Sequence, residues 1–160
     1  MAAQTNLLGN IAIGLVAGAV GTALMTAAQT AEMKASGREG SMTPAKGAEK
    51  VLGLHPASDN EEARLSNEVH WSYGVALGGA FGLLASILEE REPATGATFF
   101  ALVWGTGLAL LPGLKISSPP TEWGAQSLAT DAAFHAVYAG ATAAAYHGIK
   151  AGLRQAEALT

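Results

Sequence analysis

The sequence predicts an all-α fold, an integral membrane bundle of four transmembrane helices formed by a single domain of 160 residues. Three observations lead there. Apolar residues make up 49% of the chain and charged ones only 14%, whereas soluble domains carry about a quarter charged residues. Most charges fall between Glu32 and Glu68 or in a few short clusters, leaving four long charge-poor runs between them. Within those runs small residues recur at every fourth position, the spacing that lets helices approach closely in a membrane.

The first span is Leu7 to Ala31, which has no charged residue and at about 1.5 Å per residue can cross a hydrocarbon core of roughly 30 Å. A cleaved signal peptide is the competing reading. It is disfavoured because no Lys or Arg precedes the run and because the run exceeds the usual apolar core of such a peptide. A polar loop, 32–68, follows, in which Thr43-Pro44 can open a short helix through Leu52 with Ala48, Val51 and Leu52 on its apolar side. Such a helix would lie on the membrane surface or be a solvated loop helix.

The second span is Val69 to Leu88, ended by Glu89, Glu90, Arg91, Glu92 and Pro93. Ser58-Asp59-Asn60-Glu61 reads as a capping box, so this helix starts at about Asn60, well before the membrane, and runs to Glu90. The third span, Thr95 to Leu114, is bounded by Pro112, Lys115 and Pro119-Pro120, and the fourth is Leu128 to Ile149, carrying Asp131 and His135. A soluble bundle would show a charged outer face at helical spacing, and these runs do not.

The small residues Gly14 and Gly18 in span one, Gly74, Gly78 and Gly82 in span two, and Ala132, Ala136, Gly140, Ala144 and Gly148 in span four are read as helix-packing rows, within the bundle or between protomers. Leu15-Val16-Ala17-Gly18 echoes Leu102-Val103-Trp104-Gly105, and His70-Trp71-Ser72-Tyr73 echoes His135-Ala136-Val137-Tyr138. The pairing suggests a duplicated helical hairpin whose two His-x-x-Tyr elements share one membrane side.

Polarity enters the spans at one end. Asp131, His135, Tyr138, Thr142 and Tyr146 keep to one face of span four, and the i, i+4 spacing lets Asp131 accept a hydrogen bond from His135. Thr22, Thr26 and Gln29 of span one, with Asn67, Glu68, His70 and Tyr73 of span two, belong to the same end by chain direction. The expectation is a half-membrane vestibule built on Glu68, His70, Tyr73, Asp131, His135, Tyr138 and Thr142, with the opposite mouth mostly apolar. Ionisable groups at such depth are expensive and mark ion or proton paths. The plainer reading is an aromatic belt of Trp71, Tyr73 and Tyr138 with solvated polar groups between them. His55 and His147 read as surface or interfacial residues.

No cofactor is predicted, and whether a metal binds is not legible. Haem held by His70 and His135 is the one cofactor these residues could ligate, although the widely spaced His pairs of twin-haem bundles are absent. A haem or quinone carrier is accordingly the third functional reading. The net charge of -4, without a basic block, gives nucleic acid no electrostatic footing as a partner. The chain has no cysteine, which excludes disulfides and thiolate chemistry. No nucleophile elbow, phosphate-binding loop or zinc-type His-Glu spacing is present, so nothing points to an enzyme.

The Gly-rich first span, His70-Trp71-Ser72-Tyr73-Gly74 with Gly78 and Gly82, and the His-x-x-Tyr fourth span together resemble small bacterial inner-membrane proteins, distantly the YagU-like family. The loop 32–68 is not covered by this likeness. The resemblance implies a multi-pass location in the inner (plasma) membrane and, because that family is associated with acid resistance, a role in acid response. The expected function is thus a structural or accessory helix bundle in the lipid bilayer that forms a homo-oligomer or joins a larger membrane complex, with proton or cation conduction as the second reading. Six basic residues, Lys34, Arg38, Lys46, Lys50, Arg64 and Lys115, against Arg91, Lys150 and Arg154 place the polar mouth toward the cytoplasm.

Overall fold

A computed structural model of the chain describes residues 7–88 and 91–159. Among these the secondary structure is entirely helical: α1 Leu7–Ser36, α2 Thr43–Leu52, α3 Asp59–Ile87, α4 Ala94–Gly113 and α5 Ala125–Ala158, with one 3-10 turn at Pro120–Glu122. The expected end of the second helix at Glu89-Glu90 lies outside the described residues, and the described helix closes at Ile87 with Leu88 as its cap. α5 continues nine residues past the expected Ile149.

The termini follow local chemistry. Ser58 caps α3 by accepting from the Glu61 amide at 3.4 Å, while Glu61 Oε2 accepts from the Ala57 amide at 2.8 Å, one residue earlier than in an ideal capping box. Pro44 sits in the first turn of α2, and Gly53 ends that helix in the left-handed region, φ 67°, a conformation that favours glycine. At the end of α1, Glu32 pairs with the Arg38 guanidinium at 2.7 Å, and that bond holds the Glu32 carboxyl below its ordinary range.

α1 is the central helix, packed along most of its length on α3 and on α5, whereas α4 leans on α5 and only grazes α3. The α1/α3 contact is backbone to backbone. A Cβ on Gly18 would lie 2.7 Å from the Gly78 Cα, and one on Gly82 would lie 2.8 Å from the Asn10 carbonyl carbon, closer than side chains tolerate. Gly21 is equally pressed against α5, where its Cβ would meet the Tyr138 carbonyl oxygen at 2.8 Å. The glycine rows in spans one and two are therefore consumed inside the fold. Gly140 and Gly148 are not: nothing lies within 4 Å of a Cβ at either.

Aromatic rings fill the space between α3, α4 and α5. Phe81 meets Phe99 edge-on at 5.0 Å and Tyr146 at 5.3 Å, and Phe99 lies 5.8 Å from Tyr138. This packing is unequal between the hairpins. The α1/α3 pair closes on glycines while α4 has no such seat, so the two hairpins differ in packing despite their sequence echo.

α1 and α4 are long and apolar enough to cross a membrane by length and composition, with mean hydropathies of 2.0 and 1.6 over their best windows. Four such helices were expected from charge-free length. α3 and α5 have the length, but Gly, Ala, Ser, Thr, His and Tyr dilute their apolarity. α2 packs against α3. Ser66 Oγ donates to the Ser41 carbonyl at 2.9 Å, and Ala45 and Ala48 are buried against α3, while Val51 and Leu52 are exposed. It packs back along the first turns of α3, and the side expected to be apolar supplies only Ala48 to that contact.

Gly78→Ala should destabilise the purified protein by about 1–3 kcal/mol through forced separation of α1 and α3. Gly140→Ala, the same chemical change in open space, should be neutral or stabilising by up to about 1 kcal/mol. Thermal unfolding of the two variants side by side checks this, and equal melting temperatures would contradict the packing account.

Candidate functional site

Polar side chains gather at both ends of the bundle. At the end formed by the C-terminal half of α1 and the middle of α3, Thr26 Oγ1 and His70 Nε2 lie 3.2 Å apart. Thr22 is 1% exposed, donates to its own Gly18 carbonyl and covers Gly74. Tyr138 crosses from α5 to donate to the Gly74 carbonyl at 2.7 Å. Close contact exposes that carbonyl to the phenol only because Gly74 lacks a side chain.

Asp131 and His135 form a second group with α4. The Trp104 indole donates to Asp131 Oδ2 at 2.9 Å. His135 Nδ1 lies 2.8 Å from the Asp131 carbonyl oxygen and 3.7 Å from its carboxylate. The expected carboxylate bond from His135 is thus replaced by a bond to the backbone one turn earlier, and Trp104 takes the carboxylate. With Nδ1–H donated to a carbonyl, the His135 Nε2 is left as the nitrogen available for other chemistry.

The remaining predicted residues are spread more widely. Glu68 is exposed and lies 3.7 Å from Arg64 on the outer face of α3. Tyr73 is 53% exposed and faces the side of α3 next to α4. Tyr138 and Thr142 are buried in the bundle, Thr142 against Gly21, so Tyr138 belongs to the interior and not to an aromatic belt. The structure brings His70, Thr26, Asp131 and His135 to one end and places Glu68 outside it. A haem iron at His70 Nε2 would have to displace the Thr26 contact. Among the described residues, no three His, Asp or Glu side chains converge in a way that could hold a metal ion.

The opposite mouth, expected to be mostly apolar, carries the more deeply buried network. Asn10 of α1 is 5% exposed, and its Oδ1 accepts from the Tyr146 hydroxyl at 2.9 Å and from the Lys150 ammonium at 3.0 Å. Its Nδ2 donates to Ser86 Oγ at 2.7 Å. Lys150 also lies 5.5 Å above the Tyr146 ring centre, a cation–π distance. Nearby, His147 Nε2 and Glu92 Oε1 are 2.9 Å apart, joining α5 to the turn before α4. Lys150, counted in the sequence with Arg91 and Arg154 on the other face, is a buried residue of α5 at this end.

Asn10 and Ser86 were not singled out in the sequence, while Lys150 was named only as a charge on the other face and Trp104 only in the hairpin echo. The usable signal was Asn10, an amide inside an otherwise apolar run, since such a group must find a partner on another helix. Comparison of the chain with known protein families, curated proteins and solved structures yields no match.

Replacing Asn10 by Leu should cost about 1–3 kcal/mol, because it removes the amide oxygen that accepts from both the Lys150 ammonium and the Tyr146 hydroxyl. Tyr146→Phe should cost about 1 kcal/mol, the net worth of one hydrogen bond. Chemical or thermal unfolding of the two variants tests that order, and a harmless Asn10→Leu would remove the network from the stability account.

Proposed function

We propose that the chain is a four-span membrane bundle of the inner membrane that acts by assembly, presenting the outer face of α5 to a second copy or to a larger membrane complex. The observation that carries this reading is the contrast between two small-residue rows. Gly14, Gly18, Gly78 and Gly82 are spent inside the bundle, while Ala136, Gly140, Ala144 and Gly148 lie exposed along one side of α5. In hydrocarbon, where apolar burial drives nothing, a row of small residues is what allows another helix to approach.

Several features support four spans over two. α3 and α5 match the length of α1 and α4 and pack against them without a charged outer face over 69–88 and 132–149. Their low hydropathy comes in part from Gly and Ser, which suit helix interfaces in membranes, and in part from His and Tyr. The likeness of the His70 to Gly74 stretch and of the His-x-x-Tyr fourth span to YagU-like proteins supports the same location.

The assembly reading is tested by native mass determination of the protein in mild detergent. The wild-type chain of 16.2 kDa should run as an oligomer or with a stoichiometric partner, and Gly140→Leu should reduce it to a folded monomer. A monomeric wild type would overturn the proposal.

A second reading, proton or cation passage, is favoured by one observation. Asp131, His135, Tyr138, Thr142, Tyr146 and Lys150 are carried along α5 at three- and four-residue steps, joining the His70 end to the Asn10 end with polar side chains. Liposomes containing the protein should then show a proton flux that falls sharply in Asp131→Asn and His135→Ala. Equal flux in all three preparations would sink this reading.

A further inference from the structure

α4 is held in place unlike the other long helices. α1 closes on α3 and α5 through backbone contact at glycines, whereas α4 buries only Thr95, Phe99 and Val103, a single ridge at four-residue spacing in its first half. Two polar contacts secure it beside that ridge. Trp104 donates to Asp131, and the turn before α4 supplies Glu92, whose Oε1 lies 2.9 Å from His147 Nε2 of α5.

Glu92 and His147 meet at a junction of three helices. The other Glu92 carboxylate oxygen lies over the first turn of α4, 3.3 Å from where a Cβ on Gly96 would stand, so its charge faces the helix end whose dipole favours an anion. The His147 ring is wedged edge-on against Phe81 of α3, at 6.4 Å, and against Tyr146, at 5.3 Å. Phe81 in turn meets Phe99 of α4. The imidazole is thus fixed by its neighbours, while the acid that it holds belongs to the helix with the thinnest packing.

Access to solvent sets this pair apart from the buried network beside it. Lys150 is 5% exposed, but the His147 and Glu92 side chains keep 31% and 34% of their surface in solvent, so bulk protons reach them. Of the other titratable and charged groups around the pair, Lys150 and Tyr146 share α5 and are bound to Asn10. Arg91 adjoins Glu92 in the turn, and Arg154 lies two turns further along α5. Among the described residues, α1 and α3 present Asn10, Phe81 and Ser86 at this end, none of them charged.

An imidazolium against a carboxylate makes a charge-assisted hydrogen bond, about twice as strong as a neutral one. Loss of one proton to solvent leaves a neutral ring beside an ionised acid. With the remaining hydrogen on Nε2 the bond persists without its ionic part, and with it on Nδ1 a nitrogen lone pair faces the carboxylate oxygen. The attraction is therefore present in mildly acidic solution and declines as pH rises through the range in which a histidine changes charge. It is lost again in strong acid, once the carboxyl is protonated.

We propose that Glu92 and His147 form a pH-operated latch on α4: the charged pair holds the start of α4 against α5 and Phe81, and deprotonation of His147 lets the first half of α4 separate from them. The latch governs the position of one helix, whether α5 serves assembly or conduction.

The chain has no cysteine, so paired spin labels can be placed cleanly. Val16→Cys in α1 and Ala97→Cys in α4, both at exposed positions, report the separation of the two helices by pulsed electron paramagnetic resonance in mild detergent, with labelled chains diluted in unlabelled ones. Distances are compared at about pH 5.5 and about pH 8.5, on either side of the histidine range. A short distance should dominate at the lower pH, and a longer population should gain about two- to fivefold at the higher, the shift that a half-exposed ion pair supports. Glu92→Gln and His147→Gln each keep a hydrogen-bonding group in place without the ion pair, and each should give one distribution at both pH values. Circular dichroism confirms that the variants are folded. Wild-type distances that are the same at both pH values would overturn the latch. So would a pH response that persists in Glu92→Gln or His147→Gln, which would assign it to another histidine such as His70 or His135.

Discussion

The contact between the backbones of α1 and α3 is the constraint on which the other contacts depend. Gly14 and Gly18 lie against Gly78 and Gly82 so closely that no Cβ fits at the crossing. This proximity brings Thr22 over Gly74 and leaves the Gly74 carbonyl within reach of Tyr138. It also brings Asn10 beside Ser86, and so fixes the acceptor that Tyr146 and Lys150 use. α5 is then held at two levels by hydrogen bonds that only a glycine-lined crossing permits. Dispersion at such a contact is weak atom by atom, but many atoms brought to optimal separation make its sum large.

Polar groups at the two ends play different parts. Asn10 is bonded to Ser86 of α3 and to Tyr146 and Lys150 of α5, tying three helices together, and the cost of burying an ammonium is offset by an amide oxygen and an aromatic face. Around His70 and His135 the side chains remain half-buried, and the contact of Thr26 with His70 is longer, at 3.2 Å. The first arrangement suits a fixed joint. The second leaves imidazole and carboxylate groups adjustable, which is where a conducting role would have to reside.

The helices themselves were legible because helical spacing, charge-free length and capping residues act locally. Ser58 to Glu61 marked the start of α3, and Pro112 with Pro119-Pro120 the end of α4, through chemistry contained in a few neighbouring residues. Gly14, Gly18, Gly78 and Gly82 could be recognised as packing positions, yet nothing in their spacing said that Gly140 and Gly148 would face outward. Which row meets which is decided by the rotation of each helix, a property of the whole bundle. For the same reason Asp131 and His135 were paired correctly in sequence but not in geometry, since Trp104 of another helix takes the carboxylate. Lys150 was legible only as a charge beyond the fourth span, because its burial depends on α5 continuing for two more turns and on Asn10 of another helix.

The uneven packing of the two hairpins has a consequence for how the chain is made. α1 and α3 carry their own complementary surfaces, so they can join as soon as α3 has been synthesised. α4 brings no comparable surface: Phe99 meets Phe81 of α3, but its other anchors, Asp131 for Trp104 and Tyr138 beside Phe99, belong to a helix that emerges later. The packing thus favours an order of assembly along the chain: a first hairpin that closes on its own glycines, then α4 at its flank, and last α5, which fastens α4 to the rest.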